Sequence, residues 1–373
     1  LSFDACLQCG RCEEACPSTF SGMPYSPRTF IRSLREISQT ALIKPDANGK
    51  TEKGELFEHF KDDFAWYCTT CGACLVKCPA FIRPPDEIVD LRRYQALTTG
   101  KVPKSIADTL RNMERQGNPW GMPAEDRIAW MEDLEIRELA PGDSTDVLYF
   151  LGCAAAYDER NKKITRAFAR LMQKAGLDFG ILGLDEICCG ETARRMGQEY
   201  LFQVYAQQNI ETLSKIKFNR IVTQCPHCFN TLKNEYPQLG GNYQVLHHTQ
   251  LLAELSLPWA EVSPNGNGVH GKVAYHDSCY LGRYNQIYAE PRQLLKQAKV
   301  STTELPRHHE NSFCCGGGGG QMWLETDANT RINHRRLEEA LQANSDIIAT
   351  GCPYCTLMFD DAIRSKGKGE QVQ

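Results

Sequence analysis

Eighteen of the 373 residues are cysteine, and their spacing carries most of the chemistry that can be read from the chain. The first eight form two runs, CLQCGRCEEACP and CTTCGACLVKCP, each of the form C-x2-C-x2-C-x3-C-P. Three thiolates at this spacing can wrap one corner of a four-iron cube while backbone amides bond its sulfides. The fourth cysteine lies past the next turn and faces the other cluster. The spacing therefore predicts one cubane [4Fe–4S] cluster on Cys6, Cys9, Cys12 and Cys78. It predicts a second on Cys68, Cys71, Cys74 and Cys16. Zinc is the competing reading, but zinc sites favour well-separated C-x2-C pairs over a repeated triplet closed by proline.

The other ten cysteines form a repeat. Cys153 and Cys279 are 126 residues apart, and so are the pairs Cys188-Cys189 and Cys314-Cys315. Cys225 and Cys228 precede Cys352 and Cys355 by 127 residues. Five cysteines recurring in order with one residue of slippage indicate an internal duplication. Each C-P-x-C follows a strand-like stretch and opens a helix-like one. Thiolates there gain from free amide N–H groups and the helix dipole, and Pro226 and Pro353 cost little in a first turn. The glycines at 316–320 allow close backbone approach. They lack the strand–loop–helix setting of a phosphate loop.

The elements that must position these cysteines differ along the chain. Before residue 100 the sequence reads as helical, with Pro27 opening one helix (Phe30, Ile31, Leu34 and Ile37 on a face). A second follows Asp86, with Ile88, Val89, Leu91, Tyr94 and Leu97. Gly- and Pro-rich stretches at 117–123 and 140–144 suggest a connection. From 146 on, strand-like and helix-like segments alternate, which argues for parallel α/β layers. SPNGNG at 263–268 reads as a linker, after which the pattern restarts. The expected organisation is an α+β multidomain chain. A helical domain with the two cysteine runs spans 1–100, a linker 101–145, one α/β domain 146–262 and its duplicate 269–366.

Apolar residues make up 42% of the chain and charged residues 24%, as in ordinary globular proteins. The net charge of -4, without basic runs, gives no reason to expect nucleic acid. Disulfide-dense scaffolds are short secreted chains, so thiolate–metal chemistry is the better use of these cysteines. The longest apolar run, 147–156, is about half of what spans a bilayer. The first residue is Leu1, which suggests a segment upstream, such as a membrane anchor.

The motifs GCAAAYDERN, EICCGETARR and TQCPHCFNTLKNEYP recur as YHDSCYLGRYN, FCCGGGGGQMW and TGCPYCTLMFDDA. They resemble the cysteine-rich "CCG" domains of the catalytic subunit of heterodisulfide reductase and of glycolate oxidase iron–sulfur subunits. The N-terminal part resembles the all-helical two-cluster ferredoxin domain of that group and of succinate dehydrogenase iron–sulfur subunits. The resemblance covers nearly the whole chain. It implies an all-helical ferredoxin domain followed by two α/β CCG domains, with one or two non-cubane [4Fe–4S] clusters besides the two cubanes. Zinc or a cubane is the alternative at one CCG site. By resemblance, Cys153, Cys188, Cys189, Cys225 and Cys228 form one site. Cys279, Cys314, Cys315, Cys352 and Cys355 form the other. The two cubanes use eight cysteines and the two CCG sites ten, which accounts for all eighteen.

The resemblance extends to iron–sulfur subunits linked to electron-transfer flavoprotein and to dimethylglycine-type dehydrogenases. It implies an oxidoreductase subunit that takes electrons from a flavoprotein dehydrogenase or electron-transfer flavoprotein. Electrons would leave toward a membrane quinone, with a membrane anchor or cytochrome b segment as a further partner, at the cytoplasmic, inner face of the cell membrane. Disulfide reduction at the CCG clusters is the alternative activity. Among residues outside the cysteine sets, His276 and Asp277 are the proton-handling candidates. His247-His248, His308-His309 and Arg194-Arg195 are ordinary polar residues near the motifs. Taken alone, Cys352-Pro-Tyr-Cys355 matches a glutaredoxin dithiol, but its counterpart Cys225 and Cys228, and the three further cysteines that accompany each pair, argue for an iron ligand pair.

Overall fold

The structure is a computed structural model and describes residues 2–43, 60–61, 63–255, 257, 271–369 and 371–372. The predicted linker at 263–268 lies outside the described residues. Up to residue 100 the described elements are helical. The helices Pro27–Ile43 and Pro84–Tyr94 bury Phe30, Ile31, Leu34, Ile88 and Leu91 in one core that also takes in Cys16 and Cys68. The second helix starts at Pro84, two residues before the expected acidic start, because proline suits a first turn.

The stretch 101–145, expected as a linker, is built into the fold. The helix Lys104–Gln116 buries Ile106, Leu110 and Met113, and the turn of helix Ala124–Met131 buries Arg127 and Trp130. The apolar spacing 106, 110, 113 is helical, but the flanking Gly and Pro residues obscured it.

Two parallel sheets follow. In the first, β1 (Ser144–Tyr149), β2 (Phe179–Gly180), β3 (Lys217–Thr223) and β4 (Val245–His247) take the order β2-β1-β3-β4. In the second, β5 (Val273–His276), β6 (Thr302–Glu304) and β7 (Ile347–Thr350) take the order β6-β5-β7. All described ladders in both are parallel. Tyr149 pairs with Val222, and His276 with Thr350. This register brings the loops after β1 and β3 to one sheet edge, and likewise those after β5 and β7. Those loops carry Cys153 with Cys225, and Cys279 with Cys352. The carboxyl edge of a parallel sheet is where such folds place their sites.

The glycine run joins the second sheet to the helical part. A Cβ at Gly318 would lie 2.6 Å from the Thr69 carbonyl oxygen, and one at Gly319 2.6 Å from that of Cys68. Gly319 also has φ of 61°, which favours glycine. The run thus admits the backbone of the second cysteine run, where the sequence suggested close approach to a cluster. Gly319→Ala is expected to cost at least about 2 kcal/mol from backbone strain and overpacking. Gly369→Ala, which meets open space, should be near neutral. Thermal unfolding of both variants checks this.

Candidate metal sites

In each N-terminal run the chain bends twice through left-handed backbone. Gln8 and Gly10 do so between Cys6 and Cys12, and Thr70 and Gly72 between Cys68 and Cys74, with φ of 53°, 82°, 50° and 73°. Such φ values are uncommon outside glycine and persist where the surroundings enforce them. The turn aims Thr70 N–H at Cys68 Sγ, 3.4 Å away.

The two runs cross. A cavity is lined by Cys6, Cys9, Cys12 and Cys78, the last from the other run. Burial pushes the Cys12 thiol up to about 11, with help from Cys6 and Cys78. Burial likewise pushes Cys16 up to about 12, with Cys71 and Cys68 adding to it. Cys74 is raised by burial and by Cys68, Cys71 and Cys16. The groups of four expected from the spacing are therefore the groups brought together. Clustered buried thiols resist ionisation unless a cation offsets the charge, so these donor sets fit four-thiolate clusters. The first group lies near the surface, with Cys9 exposed, and the second is buried.

The later cysteines also gather in two sets. Cys188 Sγ is 3.9 Å from Cys153 Sγ, and Cys189 Sγ is 3.4 Å from Cys228 Sγ. Cys225 caps the helix Pro226–Asn230. Its thiol is drawn down to about 7: burial opposes this, while Cys228, the His227 charge and the first-turn N–H groups outweigh it. Gly152 must be glycine, since a Cβ would sit 2.8 Å from Cys228 Sγ. In the second set Cys279 touches Cys314, Cys315 touches Cys355, and Cys352 caps the helix Pro353–Ser365. Gly190 and Gly316 occupy matching left-handed positions and aim their N–H at Cys188 and Cys314 Sγ, at 3.5 and 3.3 Å.

The groups are contiguous. Cys71 of the second N-terminal group lies within hydrogen-bonding reach of Cys314, and Arg283 Nε donates to Cys71 O at 2.9 Å. Tyr354, between Cys352 and Cys355, places its hydroxyl 3.8 Å from Cys153 Sγ. Between the two five-cysteine sets, His227 stacks on Tyr280 at 4.2 Å and meets Tyr354 edge-on at 4.9 Å. His227 was not singled out from the sequence, although the middle residue of both C-P-x-C motifs was a visible signal. Its Nδ1 lies 2.9 Å from Glu191. That neighbour holds the ring's pKa above its ordinary value although burial opposes it.

The other polar residues near the motifs are structural in geometry. Arg292 clamps Asp277 with two hydrogen bonds of 2.8 Å. Arg194 and Arg195 pair with Glu235 rather than facing solvent. His276 is buried beside Cys315 and Cys355. His247 Nε2–H donates to Gly351 O at 2.9 Å and lies 3.2 Å from Gln224 O, which ties both C-P-x-C loops together.

Comparison with known proteins places the chain's three cysteine-bearing parts in known families. A family model described as "4Fe-4S dicluster domain" matches residues 2–82. One described as "Cysteine-rich domain" matches 147–233 and 273–360. The "EtfAB:quinone oxidoreductase" of Syntrophomonas wolfei is 37% identical over all of the chain and 57% of its own length. The "Probable iron-sulfur-binding oxidoreductase FadF" of Bacillus subtilis is 36% identical over all of the chain and 58% of its own length. A subunit of the "Dihydromethanophenazine:CoB--CoM heterodisulfide reductase" of Methanosarcina barkeri is 32% identical, over 97% of the chain and 89% of its own length. The chain thus spans under two thirds of the first two relatives.

Two outcomes test the site. Cys78→Ser is expected to alter the EPR signal of the cluster on Cys6, Cys9 and Cys12, and Cys16→Ser that of the other cubane. The reverse assignment would refute the crossing. The second concerns pH. Burial lowers the His247 pKa to about 4, whereas the unfolded ring titrates near 6.5. The unfolded chain takes up the proton first, so stability is intact above about pH 6.5 and falls from there toward about 4. The slope is up to ~1.4 kcal/mol per pH unit. Guanidinium unfolding at pH 7 and pH 5 should show the loss, and His247→Gln should flatten it.

Proposed function

We propose a function on the premise that the chain belongs to the family of iron–sulfur oxidoreductase subunits that includes the heterodisulfide reductase relative from Methanosarcina barkeri. It is an electron-transfer subunit that accepts electrons from a flavoprotein, a dehydrogenase or electron-transfer flavoprotein, and passes them toward a membrane quinone. Two cubane clusters on the N-terminal groups and a non-cubane cluster on each five-cysteine set supply one-electron chemistry. The observation that carries the reading is contiguity: Cys71 reaches Cys314, and Tyr354 reaches Cys153. The exposed Cys9 end suits exchange with another protein. The quinone-oxidoreductase name of the Syntrophomonas relative supports the same partners. A cytochrome b segment or other membrane anchor is proposed as the route to the quinone. No described helix is long and apolar enough to cross a membrane.

The heterodisulfide reductase relative favours a second reading, disulfide reduction at the five-cysteine sets. Against it, His227, Tyr280 and Tyr354 pack together between those sets, where a disulfide would have to reach both.

Anaerobically purified protein is expected to hold about sixteen iron per chain, four for each four-iron cluster. Its EPR signals should appear rapidly with a reduced flavoprotein and stay unchanged with candidate disulfides. About four zinc with negligible iron would refute the whole reading. Signals that change with a disulfide alone would favour the reductase.

A further inference from the structure

We propose that His276 is a hydrogen-bond donor to the sulfurs of the second five-cysteine set, and that Arg336 is the positioning residue that fixes its tautomer. The inference rests on the reading that this set holds a cluster.

His276 ends β5, three residues before Cys279, and is 1% exposed. One of its ring nitrogens, Cys315 Sγ and Cys355 Sγ all lie within 4.8 Å of one another. By composition this is a metal-binding trio, and the first question is whether the imidazole could be a ligand. Its Nδ1 lies 3.1 Å from Arg336 Nε. A guanidinium has donors and no acceptor, so Nδ1 must offer its lone pair. A neutral imidazole has only one such lone pair, and the proton then sits on Nε2. A ring that accepts at Nδ1 carries its proton on Nε2 and is neutral. With its one lone pair engaged, His276 has an N–H to offer the sulfurs and nothing to offer a metal.

Arg336 is itself held firmly. It is fully buried, donates to Glu339 at 2.5 Å and to Ser312 Oγ at 3.3 Å, and sits on the helix Ile332–Gln342. It cannot release Nδ1 without leaving a buried charge short of a partner.

The first set has no histidine at the matching position. The residue 126 positions before His276 is Phe150, which is buried and has no donor. A hydrogen bond to a cluster sulfur favours the reduced, more negative state. His276 therefore makes the second set, the one against Cys71, easier to reduce than it would be without that bond.

The test is an EPR-monitored redox titration of the full chain, with His276→Phe and His276→Gln. The phenylalanine variant should keep its iron and lower one midpoint. The expected loss is roughly tenfold in the reduction equilibrium, ~59 mV for one electron. Glutamine, which retains an N–H, should recover part of it. A midpoint unchanged in the phenylalanine variant overturns the proposal. Loss of about four iron from that variant also overturns it, because it makes His276 a ligand. The native protein labelled with 15N-histidine gives an answer free of folding effects. A weak coupling through a hydrogen bond is expected, and the strong coupling of a direct iron–nitrogen bond overturns the proposal. Failure of the wider electron-transfer reading would appear separately, as missing iron or no reduction by flavoprotein in the native chain.

Discussion

Arg92 is fully buried, and the hydrogen bonds of its guanidinium run to carbonyl oxygens: Ala65 and Cys68, Arg195, and Gly319. One side chain thus gathers the N-terminal cysteine region, the first sheet's loops and the glycine run. A buried cation without a carboxylate is costly. Burial draws its pKa down, and the anionic form of Cys68 is the largest influence holding it up. Arg283 stands in the same relation to Cys71, Cys279 and Cys314. The positive charges at the centre of the fold thus lie where negative sulfur would offset them. A bound cluster would supply such sulfur, and metal binding couples to folding.

That coupling explains why the cysteine groups touch instead of lying in separate compartments. Each part presents its loops to the common centre, and the space between the two five-cysteine sets is filled by rings. Tyr284 stacks on Tyr280 at 4.6 Å, and Tyr280 on His227. Tyr280 and Tyr284 both bond Thr70, so the stack is anchored to the N-terminal run. Packing of this kind holds the distances between sulfur groups fixed, which suits transfer between centres better than admission of a substrate.

The cysteine groups were legible because metal ligation imposes spacing that survives in one dimension. The crossed pairing of Cys16 and Cys78 and the helix-start positions of Cys225 and Cys352 could be expected from local rules. The role of residues 101–145 could not, since Ile106, Leu110 and Met113 form too short an apolar face to outweigh the flanking Gly and Pro. The glycine run was legible as permitting close approach, but what it approaches depends on tertiary placement. His227 and Arg92 were hidden for the same reason: their partners are 36 and up to 227 residues away in the chain.

The duplication repeats the sulfur positions but not their surroundings. In the first copy, Glu186 accepts from the N–H groups of Leu151 and Gly152 and pairs with buried Arg127, so the loop before Cys153 is fastened by the segment that precedes β1. That copy also adds β4, whose His247 reaches across to the second copy's Gly351. In the second copy, Arg283 and the glycines fasten the corresponding loops to the N-terminal run instead. Each copy is therefore completed by a different neighbour, and this fixes their order. The second set must lie against the N-terminal cysteine groups, and the first set must lie beyond it. An ordered row of cysteine groups follows from unequal supports around equal cysteines.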